Sequence, residues 1–180
     1  MSQPSTIRYA MFPRTQPPPA FVAQVVAAFR AREAEIGTEQ LAKGLKSDDV
    51  LGEVAPGLSA LGFEVERQGV RLQRPVFFGE NGEPTLQYEI DGYHAGWRCG
   101  IEVEAGRALG GGNAFYRDLI QAAVMVDVEV LIIAVPNAYR FNSGGKPAVT
   151  RDYEKCRELA EAIYGHQRLR LPYQLVLIGY

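Results

Sequence analysis

The stretch Tyr88-Glu89-Ile90-Asp91-Gly92-Tyr93-His94-Ala95-Gly96-Trp97-Arg98-Cys99-Gly100-Ile101-Glu102-Val103-Glu104 decides the fold. Two β-rich runs, residues 85–95 and 98–105, flank the tight Ala95-Gly96-Trp97 connection, which predicts an antiparallel hairpin. Side chains alternate along a strand, so Glu102 and Glu104 share one face while Ile101 and Val103, with Cys99, take the other. On the partner run Glu89 and Asp91 share a face opposite Ile90.

If Asp91 lies opposite Glu102 or Glu104, the four carboxylates gather on one side, with facing Cβ atoms about 5 Å apart. A slip of one residue would scatter them. The register that buries Ile90 with Ile101 and Val103 is the same one that gathers the acids. Crowded carboxylates repel, and the remedies are protonation, an arginine partner or a bound cation. A hard dication is the most economical of these. Magnesium takes oxygen ligands octahedrally from one or two carboxylates, leaving positions for water and phosphate, and it activates water for attack on a phosphate. The competing reading is an ordinary solvent-facing strand, and Glu89 fits that reading as well as an accessory acid.

Upstream, Pro4, Pro13, Pro17, Pro18 and Pro19 keep helix and central strand out of an arm spanning residues 1–17, apart from one short extended piece, Ile7 to Phe12. Phe21, Val22, Val25, Val26 and Phe29 recur at helical spacing. A second helical stripe of Val50, Leu51, Val54, Leu58 and Leu61, capped by Thr38 or Ser47, ends at Gly62, with Pro56 placed to kink or split it. Phe63, Val65, Val70 and Leu72 then alternate as one half-buried strand, and Gly79 to Gly82 form a turn.

Downstream, Asn113 is placed to cap a helix bearing Phe115, Leu119, Ala122, Ala123 and Val126. Val130 to Val135 reads as a strand buried on both faces. Asn142 to Pro147 reads as a loop, Arg151 to Tyr164 as a helix and Tyr173 to Ile178 as a last strand. The order predicts one α/β (α+β) domain over residues 18–180, a central mixed sheet flanked by helices.

At 180 residues the chain suits a single domain. No apolar run approaches the roughly 20 residues that span a bilayer, and Met1 to Thr6 do not open a secretory signal. Two cysteines, Cys99 and Cys156, give neither a disulfide framework nor a zinc spacing, so a cytoplasmic setting is expected. A net charge of -2 argues mildly against coating of nucleic acid by charge alone, so any nucleic-acid surface is expected to be local.

The segment from Leu61 to Pro136 resembles the PD-(D/E)XK nuclease superfamily, in particular type II restriction endonucleases whose third motif reads E-x-E. The matching residues are Asp91, Glu102-Val103-Glu104, the helix around Tyr116-Arg117-Asp118-Leu119 and the strand Val130 to Val135, in the order helix, hairpin, helix, strand. The resemblance implies a restriction-endonuclease-like core and an enzyme that hydrolyses phosphodiester bonds in DNA with Mg2+, or Mn2+ as a substitute. Asp91, Glu102 and the Val103 carbonyl would hold the ion, and Glu104, standing where most of the superfamily has lysine, would position water. Double-stranded DNA is then the expected partner, and since this class commonly cuts duplexes with paired sites, so is a homodimer. No lysine lies between Lys46 and Lys146 to replace the missing one. Arg107 or Arg117 can offset transition-state charge but, staying protonated, neither can act as a base. The absent lysine and acidic balance also motivate an alternative: a catalytically inactive nuclease-fold module that binds nucleic acid or protein. A metal-dependent hydrolase of small phosphoesters is a third reading.

Other polar groups have plainer expectations. His94 falls on the face opposite Asp91 and suits a structural use. Arg67, Arg71 and Arg74 can track phosphates or pair with Glu64, Glu66 and Glu80. Tyr93 and Trp97 can stack on a base or pack in the core.

Overall fold

A computed structural model describes residues 4–39, 41–67, 70–106, 108–110 and 112–180. In chain order the elements are β1 (Arg8–Phe12), α1 (Ala20–Arg30), α2 (Glu33–Ile36), α3 (Ser47–Ala60), β2 (Glu64–Val65), β3 (Leu72–Phe78), β4 (Pro84–Ile90), β5 (Gly92–His94), β6 (Cys99–Val103), α4 (Ala114–Val124), β7 (Val130–Val135), β8 (Tyr139–Ser143), β9 (Lys146–Thr150), α5 (Asp152–Gly165) and β10 (Gln174–Gly179). Six strands form a mixed sheet in the order β1-β10-β7-β6-β5-β2. The two apolar runs, β7 and β10, lie side by side at its centre, parallel and buried on both faces.

Two apolar layers cover the sheet. On one face α1, α2 and α3 contribute Val22, Val26, Phe29, Ile36, Val54 and Leu58 against Ile101, Val103, Ile132 and Val176. On the other, α4 and α5 contribute Phe115, Leu119, Cys156 and Ala160 against Leu131, Ile133, Leu175 and Leu177. A mixed central sheet flanked by helices is therefore the architecture. No described helix is long and apolar enough to cross a membrane.

Several expectations need correction. The extended piece of the proline-rich arm is a full strand of the sheet, with Arg8 to Phe12 paired antiparallel to β10 and Ile7, Ala10, Met11 and Phe12 buried. Helix α3 runs through Pro56 without a break. Thr38 caps nothing: its hydroxyl is buried, donates to the Tyr180 carbonyl at 2.5 Å and accepts from the Ala138 amide at 3.2 Å. Residues 142–147 belong to a hairpin, β8 with β9, turned at Gly144 and Gly145, both with positive φ, as such tight turns require. Asn113 stands at the N-cap of α4 with φ 48°, but its side chain makes no capping bond.

The run 85–95 is not one strand. Its first part, β4, pairs with β3 in a separate two-stranded ribbon, and only β5 joins the central sheet. The chain bends at Asp91, whose carbonyl accepts from the Glu66 amide at 2.7 Å. That bend resets the alternation of side chains. Ile90 accordingly packs in the α4 and α5 layer with Leu131 and Ile133, whereas Ile101 and Val103 face α1 and α3. Ile90 needs the space over Gly100, where an added Cβ would stand 2.4 Å from its Cδ1. The expected joint burial of Ile90 with Ile101 and Val103 is overturned.

Candidate functional site

Strands β5 and β6 form the hairpin, with Gly92 opposite Ile101, Tyr93 opposite Gly100 and His94 opposite Cys99. The ladder ends there, leaving the Val103 amide without a strand partner on that side. The Asp91 carboxylate takes this place, accepting from Val103 N at 2.7 Å through Oδ2. Asp91 thus closes the hairpin and also lines a cleft of about 440 Å³.

Glu102 faces the same cleft, together with Arg71, Arg117 and Asp118. It is almost wholly enclosed, 8% exposed, because β6 lies between β5 and β7 with α4 above it. Glu104 follows on the same side of the chain and accepts from Arg117 Nη2 at 3.1 Å. Asp91 and Glu102 thus line one cleft, and Glu104 lies beside it against Arg117 and Asp118. Glu89 differs. It sits opposite Gln73 in the separate ribbon, is exposed, reaches the cleft rim and lies 3.8 Å from Arg71.

Burial governs the electrostatics. It raises the Asp91 carboxyl to about 6 despite the Val103 amide, with the charges of Glu66 and Asp118 adding to it. Burial, then the charges of Asp91, Asp118 and Glu104, pushes Glu102 well above the carboxylate range. Glu104 rises to about 7 through burial and the neighbouring Asp118 charge, against the opposing pull of Arg117. Asp118 is raised by burial and held back by Arg117.

Asp118, which the sequence offers only as part of the motif helix, is a cleft residue to which sequence reasoning assigns no role. Its signal was present: the buried stripe of α4 runs Ala114, Phe115, Leu119, Ala122, and Asp118 falls within it, a charge on a helix face otherwise apolar. Arg117 bonds Asp118 Oδ1 at 2.9 Å through Nε and so bridges Asp118 and Glu104. Arg107 lies outside the described residues.

The donor set consists of carboxylate oxygens, which suit a hard dication rather than a soft metal. Cys99 faces the opposite layer, and His94 is engaged structurally, its Nδ1 accepting from Trp97 N and its Nε2 3.0 Å from the Leu61 carbonyl. Glu104 in its protonated form hydrogen-bonds Asp118, so these two acids share a proton as well as Arg117. No three His, Cys, Asp or Glu among the described residues converge closely enough to hold an ion as they stand.

The remaining expected contacts are structural. Arg71 pairs with Glu66 at 2.7 Å, while Arg74 pairs with Asp127 instead of Glu80 and stacks 3.8 Å over the Tyr93 ring. Trp97 stacks between Phe21 and His94, and the Tyr93 hydroxyl donates to the Asp127 carbonyl. A larger cavity of about 620 Å³, lined in part by His166, Arg170 and Tyr173, shares no residue with the acidic cleft. No protein-family model matches the chain, and no curated protein matches it.

Proposed function

We propose that this cleft binds Mg2+ through Asp91, Glu102 and the Val103 carbonyl and that the protein is an endonuclease hydrolysing phosphodiester bonds in DNA. The observation that carries the reading is the pair Asp91, at the bend before β5, and Glu102, on β6, lining one cleft with proton affinities raised by burial. A bound dication, when present, supplies charge neutralisation at the phosphate and a water of lowered pKa. The order α3, antiparallel β2-β5-β6, helix α4 and parallel β7 supports a restriction-endonuclease-like core, with the β3-β4 ribbon inserted between its first two strands.

In this reading Asp91 and Glu102 bind and orient. Glu104, poised near neutrality, accepts a proton from the attacking water. Arg117, always charged, faces the phosphate and cannot act as the base. The acids do not converge as they stand, so ion binding requires side-chain rotation.

Supercoiled plasmid incubated with the protein should be nicked or linearised with Mg2+ or Mn2+ and spared with EDTA, and Asp91→Ala should abolish cutting. Persistent inactivity over varied DNA substrates would overturn the proposal. A second reading, a silent nuclease-fold module that binds nucleic acid or protein, is favoured by the lack of a converged ligand trio and by the Glu104–Arg117 pair. It requires DNA binding that survives Asp91→Ala and Glu102→Ala in a protein that never cuts.

A further inference from the structure

Helix α4 carries apolar side chains on two sides. Its inner stripe packs on the sheet, but Tyr116, Ile120 and Val124, each one helical turn from the next, stand outward, and Ile120 at their centre is 58% exposed. The stripe continues past the helix. Val126 follows, also exposed, and its amide donates to the Pro75 carbonyl of β3 at 3.2 Å. The end of α4 therefore adjoins the ribbon, where Phe77, two residues further along β3, is 64% exposed.

These side chains are on average about half exposed. At roughly 150–200 Å² for a large apolar side chain, they offer roughly 400 Å² to water. Monomers seldom leave a continuous apolar patch larger than a few hundred Å² uncovered. A standard interface covers about 800 Å² on each partner, about 57% of it apolar, which is about 450 Å². The outer face of α4 with the ribbon thus supplies nearly the whole apolar share of one side of such an interface.

The occupant that fits is a second copy of the chain. The stripe is symmetrical about Ile120, with one large apolar side chain a turn to either side. A two-fold axis through Ile120 lays the stripe on its own copy with the helices antiparallel, so that Ile120 meets Ile120 and Tyr116 of each copy packs on Val124 of the other. The helix ends favour the same arrangement. Helix α4 has no acid in its first turn and no base in its last, and an antiparallel neighbour brings the opposite dipole end toward each.

We infer that the outer face of α4, extended by Val126 and Phe77, is a homodimer interface in which two α4 helices pack antiparallel across a two-fold axis at Ile120. It does not rest on the nuclease reading, because these side chains lie outside the acidic cleft.

The experiment is sedimentation equilibrium of the full chain from about 1 to 100 µM for the parent, Ile120→Glu, Val124→Glu and, as a control, Val149→Glu on the exposed β8-β9 hairpin. Circular dichroism checks the fold of each variant. The parent should be a dimer. Ile120→Glu opposes two carboxylates on the axis and should weaken association at least about a hundredfold, Val124→Glu at least about tenfold, and Val149→Glu should associate like the parent. Under mild oxidation Ile120→Cys should link the two copies by a disulfide, because a residue on the axis faces itself, and Val149→Cys should not. A parent that stays monomeric throughout this range overturns the inference. So does a dimer that folded Ile120→Glu and Val124→Glu leave intact, or one in which Ile120→Cys fails to cross-link. The nuclease reading stands or falls separately, on plasmid cleavage.

Discussion

Replacing Asp91 by asparagine should stabilise the cation-free protein at alkaline pH and leave it unchanged in acid. The folded protein holds the Asp91 proton up to about pH 6, whereas an unfolded chain releases it near the ordinary 3.8. Between these values the folded state carries more protons than the unfolded one, so stability falls as pH rises through that window. A shift of a little over two units at about 1.4 kcal/mol each sets a ceiling of roughly 3 kcal/mol by pH 8. Asparagine removes this penalty and keeps an oxygen for the Val103 amide, at some loss in bond strength. In a chain of this size each kcal/mol moves the melting temperature by about 2–4 °C, so Asp91→Asn should melt on the order of 5–8 °C above the parent at pH 8. At pH 4 the two should coincide. Differential scanning calorimetry in EDTA across this range reads the difference directly. Adding Mg2+ should raise only the parent and narrow or reverse the gap, because a ligand stabilises the state that binds it. A variant less stable than the parent by the same margin at pH 4 and pH 8 would refute the reasoning, leaving Asp91 as a plain hydrogen-bond acceptor.

Arg117→Met strands Glu104 and Asp118 without their shared cation. Arg117 is 55% exposed and water screens part of the loss, so urea denaturation should show a cost of only about 1–2 kcal/mol, largely restored by Mg2+. Tyr180→Phe removes the hydroxyl that donates to the Glu104 carbonyl at 2.7 Å, and should cost about 1–2 kcal/mol by the same assay. Arg74→Ala leaves Asp127 unpaired in a largely enclosed position and uncovers Tyr93. It should cost about 2–4 kcal/mol, with a change in near-ultraviolet circular dichroism from the exposed ring.

Much of the architecture could be read from period alone. The apolar run 130–135 is a strand buried on both faces, and the stripe Phe115, Leu119, Ala122 is the inward face of α4. The hairpin was legible too, because Ala95-Gly96-Trp97 separates runs that alternate cleanly. What alternation could not reveal was the bend at Asp91. A period-two argument assumes an unbroken strand, and here the chain leaves the β3-β4 ribbon and enters the central sheet within one residue. Ile90 therefore changed layer, and Glu89 stayed on the ribbon at the rim.

Asp91 and Glu102 nonetheless reach one cleft, for a local reason: Asp91 replaces the missing strand partner of Val103 and is held at the end of the ladder. Strand alternation assigns no role to Asp118, whose signal is of another kind: an acid on the otherwise apolar face of a helix. Residues 142–147 read as a loop because Gly144 and Gly145 dominate that short stretch, while the β-forming Tyr139, Phe141, Val149 and Thr150 that make it a hairpin lie outside it.

The central claim is that the cleft between Asp91 and Glu102 is a cation site. A crystal soaked in Mn2+ and measured at the manganese edge tests it most directly. The account predicts an anomalous peak within ligand distance of carboxylate oxygens from both Asp91 and Glu102. A well-ordered cleft in which Asp91 still accepts only from Val103, with no peak at saturating Mn2+, would contradict it.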